Sequence, residues 1–194
     1  MIRPRPRLRL LALLLVLWGC ADRDSAASDA PVSLQVEFHA LWWSEAQMES
    51  LDPDAPPPME TEVLLERWEY TDPIGTPHPD VFSVRAELVN RTDQPQADIV
   101  VRTETRWSVG PLTPDPTLTP RPGPTLAPIS AQTLPPGGRV RVELGSIDLK
   151  RLQDELIATT QWPFGFEIRV VAARSGASAP LAEVTARLPI LPGD

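Results

Sequence analysis

His39 and His78 are the only imidazoles in this 194-residue chain, and so the only ready general bases near neutral pH. A nucleophilic triad needs a serine or cysteine held against such a base. Neither histidine lies in a pattern that supplies one. His39 follows the alternating run 34–38 on its polar side, and His78 sits in Thr76-Pro77-His78-Pro79-Asp80. No Gly-x-Ser-x-Gly, no His-Glu-x-x-His and no phosphate-cradling glycine loop occurs, so no catalytic or metal-binding residue is assigned and no cofactor is expected. Among the carboxylates, Asp52, Asp54, Asp72, Asp80 and Asp115 lie in proline-rich stretches, where solvated turn residues are the simplest reading. EF-hand spacing is absent. A glycosidase needs only two carboxylates about 5 to 9.5 Å apart, which keeps a carbohydrate-acting module as the alternative function. Trp42 and Trp43 are adjacent, so on a strand they face opposite sides. One of them is then free to stack on a sugar or enter a partner, making the pair a possible binding surface, although packing beneath 44–51 is the preferred use. Cys20 is the single cysteine, which leaves no partner for an internal disulfide and makes its thiol the remaining reactive group to explain.

The segment before Cys20 explains it. Arg3, Arg5, Arg7 and Arg9 precede an apolar run over 10–18, the layout of an export signal. Nine residues are too few for a membrane span, which needs about 20. The run ends Leu17-Trp18-Gly19-Cys20, which resembles the lipobox of bacterial lipoproteins, with Trp18 where that family has a small or β-branched residue. The resemblance implies that 1–19 is a cleaved signal peptide and that Cys20 becomes an acylated N-terminus. It also implies lipid anchoring in the bacterial cell envelope. Ala21 in place of the aspartate that retains some Gram-negative lipoproteins at the inner membrane implies the outer membrane, facing the periplasm. Several acyl chains at about 0.8 kcal/mol per buried CH₂ would make such anchoring stable.

Composition sets further bounds. Removing 1–19 takes four of 18 basic residues and none of 26 acidic ones, leaving a net charge of −12. With Lys150 as the only lysine and arginines interleaved with carboxylates, no nucleic-acid partner is expected. Of 24 prolines, 22 lie beyond residue 19, and proline excludes itself from long helices and central strands.

Residues 20–31 then form a lipidated N-terminus and flexible tether, small and acidic, and 32–191 form one domain. Strand periodicity places Leu34, Val36 and Phe38 on one face against Gln35, Glu37 and His39. A run over 62–70 alternates less cleanly and leaves both faces open. A hairpin is expected from Phe82, Val84, Ala86 and Leu88, then Ile99, Val101, Thr103, Thr105 and Trp107, joined by Asn90-Arg91-Thr92-Asp93-Gln94-Pro95. Asn90-Arg91-Thr92 matches a glycosylation sequon and is taken as turn chemistry alone. The stretch 110–138 carries nine prolines without periodicity and is expected as a mobile loop with polyproline II character. Strands over 140–144, 164–170 and 184–190 follow, with Leu149, Leu152 and Leu156 at helical spacing behind Asp148 as N-cap.

About seven short strands and one short helix predict a mainly β, antiparallel two-layer sandwich, with a closed barrel as the alternative. The stretch 82–101 and Leu134-Pro-Pro-Gly-Gly-Arg-Val-Arg-Val-Glu-Leu resemble small immunoglobulin-like domains of prokaryotic envelope proteins, which implies that sandwich and no shared catalytic residues. The expected role is a non-catalytic module that presents loops, or 110–138, to an envelope protein partner, or serves as a structural spacer.

Overall fold

A computed structural model describes residues 30–42, 61–69 and 81–191. Among these residues ten strands, β1 Val32–Trp42, β2 Thr61–Leu64, β3 Trp68–Glu69, β4 Val81–Asn90, β5 Gln96–Pro111, β6 Thr119–Pro122, β7 Ile129–Leu134, β8 Arg139–Asp148, β9 Gln161–Arg174 and β10 Pro180–Leu191, accompany one helix, α1 Leu149–Ile157. They form two open sheets. Sheet 1 has the order β2-β1-β4-β8, and sheet 2 the order β3-β10-β9-β5-β6 with β7 also paired to β5. The fold is the expected antiparallel sandwich, not a barrel. The exception to its antiparallel pairing is the short parallel contact of Ile190 and Leu191 with Trp68 and Glu69.

Strand alternation turns one side of each sheet inward. Phe82, Val84, Ala86 and Leu88 of β4 meet Ile99, Val101 and Trp107 of β5 and Phe166, Ile168 and Val170 of β9 in one core, all at most 3% exposed. Its aromatic half joins both layers. Phe38 and Phe82 from sheet 1 stack edge-on at 6.0 Å, and Phe166 from sheet 2 lies 5.4 Å from Phe82 and 4.7 Å from Trp107. Tilted and edge-on pairs of this kind add about 0.5–1.5 kcal/mol each beyond their buried area.

The expected hairpin does not form. β4 pairs with β1 and β8, whereas β5 pairs with β9, β6 and β7, so 91–95 is an arch that carries the chain from one sheet to the other. Asn90 is the reason. Its side chain is 1% exposed. Its Nδ2 donates to the carbonyls of Gln94 (2.8 Å), Leu134 (3.2 Å) and Pro135 (3.0 Å), while Oδ1 accepts from Thr92 N (3.0 Å) and Thr92 Oγ1 (2.8 Å). A side chain that supplies the bonds of both the turn and the neighbouring β7–β8 connection removes the need for strand-to-strand pairing across the arch. The sequon thus acts as turn chemistry, with its amide saturated inside the protein.

Two further expectations change. The run over 62–70 divides because the chain leaves sheet 1 after Leu64 and joins sheet 2 at Trp68, and this break upsets its alternation. The stretch 110–138 is not a mobile loop along its length. It contains β6 and β7, which add to the free edge of β5, where proline's missing N–H is tolerated. Thr105 Oγ1 donates to Pro124 O at 2.6 Å, Gly123 N to Thr105 O at 3.0 Å, and Leu134 is 1% exposed. The helix arises as its spacing predicts. Asp148 Oδ1 accepts from Arg151 N at 2.9 Å, and Leu149, Leu152 and Leu156 are buried against β9 and β4.

Candidate functional site

The sandwich has two ends of different chemistry. Pro31, the residue before β1, lies beside the Asn90 arch, its carbonyl accepting from Arg91 N at 2.9 Å. The β7–β8 turn and the β9–β10 turn lie at this end, where β1 begins, too. Gly138 O accepts from Asn90 N, Ser175 N donates to Asp98 O, and Arg174 reaches Gln96, itself bonded to Thr92 Oγ1. Gly137 at φ 64° and Gly176 at φ 78° take up the left-handed positions of those turns.

At the far end β1, β5 and β10 finish, and β2, β4, β6 and β9 begin. Here the six exposed large apolar side chains among the described residues gather: Leu41, Leu64, Val81, Leu112, Leu118 and Leu191, between 41% and 61% exposed. Leu41 and Val81 extend the outer rows of β1 and β4, Leu64 stands opposite His39, and Leu112, Leu118 and Leu191 border the ends of β5, β6 and β10. Large apolar side chains scattered singly are ordinary, but their confinement to one end is not.

The residues flagged by sequence fall into this frame as follows. Trp42 is the last residue of β1, opposite Thr61, at the far end. Cys20, residues 1–19, Trp43, His78, Asp52, Asp54, Asp72 and Asp80 lie outside the described residues. His39 sits on the outer face of β1, its Nε2 hydrogen-bonded to Glu37 Oε2 at 3.1 Å, and among the described residues no serine or cysteine side chain bonds to it. Asp115 is an exposed residue between β5 and β6. Among the described residues no three of His, Cys, Asp and Glu converge as metal ligands, and no helix is long and apolar enough to cross a membrane.

The outer faces are built from ion pairs. On sheet 1, Arg85 joins Glu62 of β2 to Glu143 of β8, the latter at 2.8 Å. Bonding to Glu62 and Glu143 pushes the Arg85 guanidinium above its ordinary value, and the bond from Arg85 lowers the Glu62 carboxyl. On sheet 2, Arg169 bonds Glu183 at 2.7 Å and Glu104 at 3.2 Å, which raises Arg169 and lowers Glu183. These exposed pairs are register locks, each worth little in stability. Sequence reasoning missed them, together with an arginine row on β8, because alternation shows which face a residue occupies and not which strand lies next to it.

No family model and no curated protein matches this chain. One solved structure, described as an X-ray structure of Northeast Structural Genomics Consortium target SoR45, is similar over 84% of this chain and 90% of that one, at 11% identity and a TM-score of 0.31. A likeness that low carries no argument about fold or function.

Proposed function

We propose that the chain is a membrane-anchored lipoprotein of the bacterial envelope whose sandwich is a non-catalytic protein-binding module. The anchor is the acylated Cys20, and the binding surface is the end opposite the tether. One observation carries the second half: the exposed large apolar residues gather at the end remote from Pro31. A domain held to a bilayer by its N-terminus offers that end outward, and apolar side chains concentrated at one exposed end favour a contact with protein. The segments joined there, 43–60 and 70–80, contribute seven carboxylates and no lysine or arginine to the sequence. The partner's matching surface is therefore an apolar patch with a basic rim, recognised by complementary charge around a dry centre.

Photo-crosslinking in intact cells tests this. A crosslinking side chain placed at Leu41, Leu64 or Leu112 is expected to give one discrete protein adduct, weakened at high salt, while one at Gln35 gives none. Equal adducts from both ends, or none from the far end with the protein present at its normal level, refute the reading. Retention on immobilised glycan that depends on Trp42 would instead favour a carbohydrate-binding module.

A further inference from the structure

The outer face of sheet 1 changes character toward the tether. Its two rows nearest that end are Ser33, Val89 and Arg139, then Gln35, Glu87 and Arg141, running across β1, β4 and β8. With Arg91, all of these but Arg141 line an open depression of about 740 Å³. Three guanidiniums accompany one carboxylate there, and two of them pair with it. Arg141 Nε lies 3.3 Å and Arg139 Nη1 3.9 Å from Glu87 Oε1, and Arg91 makes no ion pair with a described residue. Glu87 is 15% exposed, yet the two arginines it holds remain 70% and 71% exposed. The carboxylate therefore neutralises one charge and hydrogen-bonds one fork, Arg141, while both forks still face solvent. The patch is left with two positive charges in a chain whose net charge beyond residue 19 is −12.

We propose that this patch seats the phosphate headgroups of an anionic phospholipid bilayer and fixes the orientation of the domain on it. The inference rests on the lipid anchor proposed above, and it adds a second contact with the same membrane. Position favours it, because Arg91 N is bonded to Pro31 O at the point where the chain arrives from 20–29. Ten residues reach at most about 36 Å, so the patch stays close to the surface that holds Cys20. The field of an anionic surface fades over about 8 Å at physiological salt, so only a positive group on the tether side can feel it. Guanidinium forks match phosphate oxygens two at a time. The acidic remainder of the domain is repelled, which makes one orientation preferred.

The test uses the full chain purified from membranes and reconstituted in vesicles of phosphatidylcholine alone, or of phosphatidylcholine mixed with phosphatidylglycerol. Phenylglyoxal modification of Arg91, Arg139 and Arg141 is followed by peptide mass. The expected result is modification slowed about fivefold or more on the anionic vesicles, that being the partition gain of one arginine near such a surface. High salt should abolish the protection, and Arg139→Gln with Arg141→Gln should leave Arg91 equally reactive on both vesicles. Equal rates on the two compositions overturn the proposal. So does equal protection on phosphatidylcholine by added inorganic phosphate, which would make the site one for a soluble anion. The intact mass of the same sample reports whether Cys20 is acylated, so loss of the anchor is read separately from failure of the patch. An unacylated chain added to both vesicles still decides the second.

Discussion

Replacing Asn90 by alanine removes the clamp that turns β4 into β5 across the two layers. The substitution takes Nδ2 from the carbonyls of Leu134 and Pro135 and the acceptor from Thr92 N, at a residue 1% exposed, while Thr92 Oγ1 still donates to Gln94 O. Each satisfied bond contributes about 0.5–1.5 kcal/mol net, and each buried group left unpaired costs about 1–3 kcal/mol. Water will reach the edge of the arch and satisfy part of this, so the sum expected is about 4 kcal/mol. Against a typical total of about 5–15 kcal/mol that is a large fraction. At about 2–4 °C per kcal/mol for a domain of this size, Tm falls by about 8–16 °C. Urea unfolding followed by the fluorescence of buried Trp68 and Trp107 is the assay, with the midpoint lowered and the slope unchanged. Asn90→Asp sharpens it. The acid keeps the acceptor but turns an ionised oxygen on three carbonyls, which raises its folded pKa above the unfolded one. Protonation then favours the folded state, so this variant gains stability relative to wild type as pH falls through the raised value. A cost below about 1 kcal/mol for Asn90→Ala would refute the view that this side chain, and not pairing of β4 with β5, holds the arch.

Arg85→Gln should flatten the acid limb of stability. Glu62 titrates lower in the folded state than in the unfolded chain, so its contribution is present above the ordinary carboxylate range, near pH 4.3, and is lost as pH falls through the lowered value. Urea midpoints at neutral and acid pH should therefore differ less in the variant. Thr103→Val should stabilise by about 1 kcal/mol in the same titration, because Thr103 Oγ1 is buried without a hydrogen-bond partner and the methyl group needs none. Deletion of 112–134 should abolish cooperative unfolding, since it removes β6, β7 and the buried Leu134 and exposes the edge of β5. A deletion variant that melts as wild type would return that stretch to the status of a dispensable loop.

Much of the fold is legible in the residues, and what is not has a physical reason. Alternation in 82–88 and 99–107 identifies the inward side chains correctly, because a period of two is a property of the strand itself. The same period is silent on which sheet a strand joins, and the Asn-Thr-Asp-Pro chemistry of 90–95 encodes a reversal without saying whether pairing follows it. Only the burial of Asn90, with acceptors 44 and 45 residues away, distinguishes an arch from a hairpin. In 110–138 the strands were hidden because proline suppresses the periodic signal while leaving an edge position open to it. The helix was legible in full, since Asp148 and the three leucines carry both its start and its face. The two-ended chemistry was not legible, because Leu112, Leu118 and Leu191 are distant in sequence and only the sheet brings their strand ends to one end of the sandwich.

The claim that holds the functional account together is that the chain is tied to a membrane through its sulfur. Top-down mass spectrometry of the native protein extracted from envelope membranes tests it most directly. The account predicts a chain that begins at Cys20, lacks 1–19 and carries the mass of fatty acyl groups on that residue. A chain retaining 1–19, or one beginning near residue 20 with a free thiol, would contradict it.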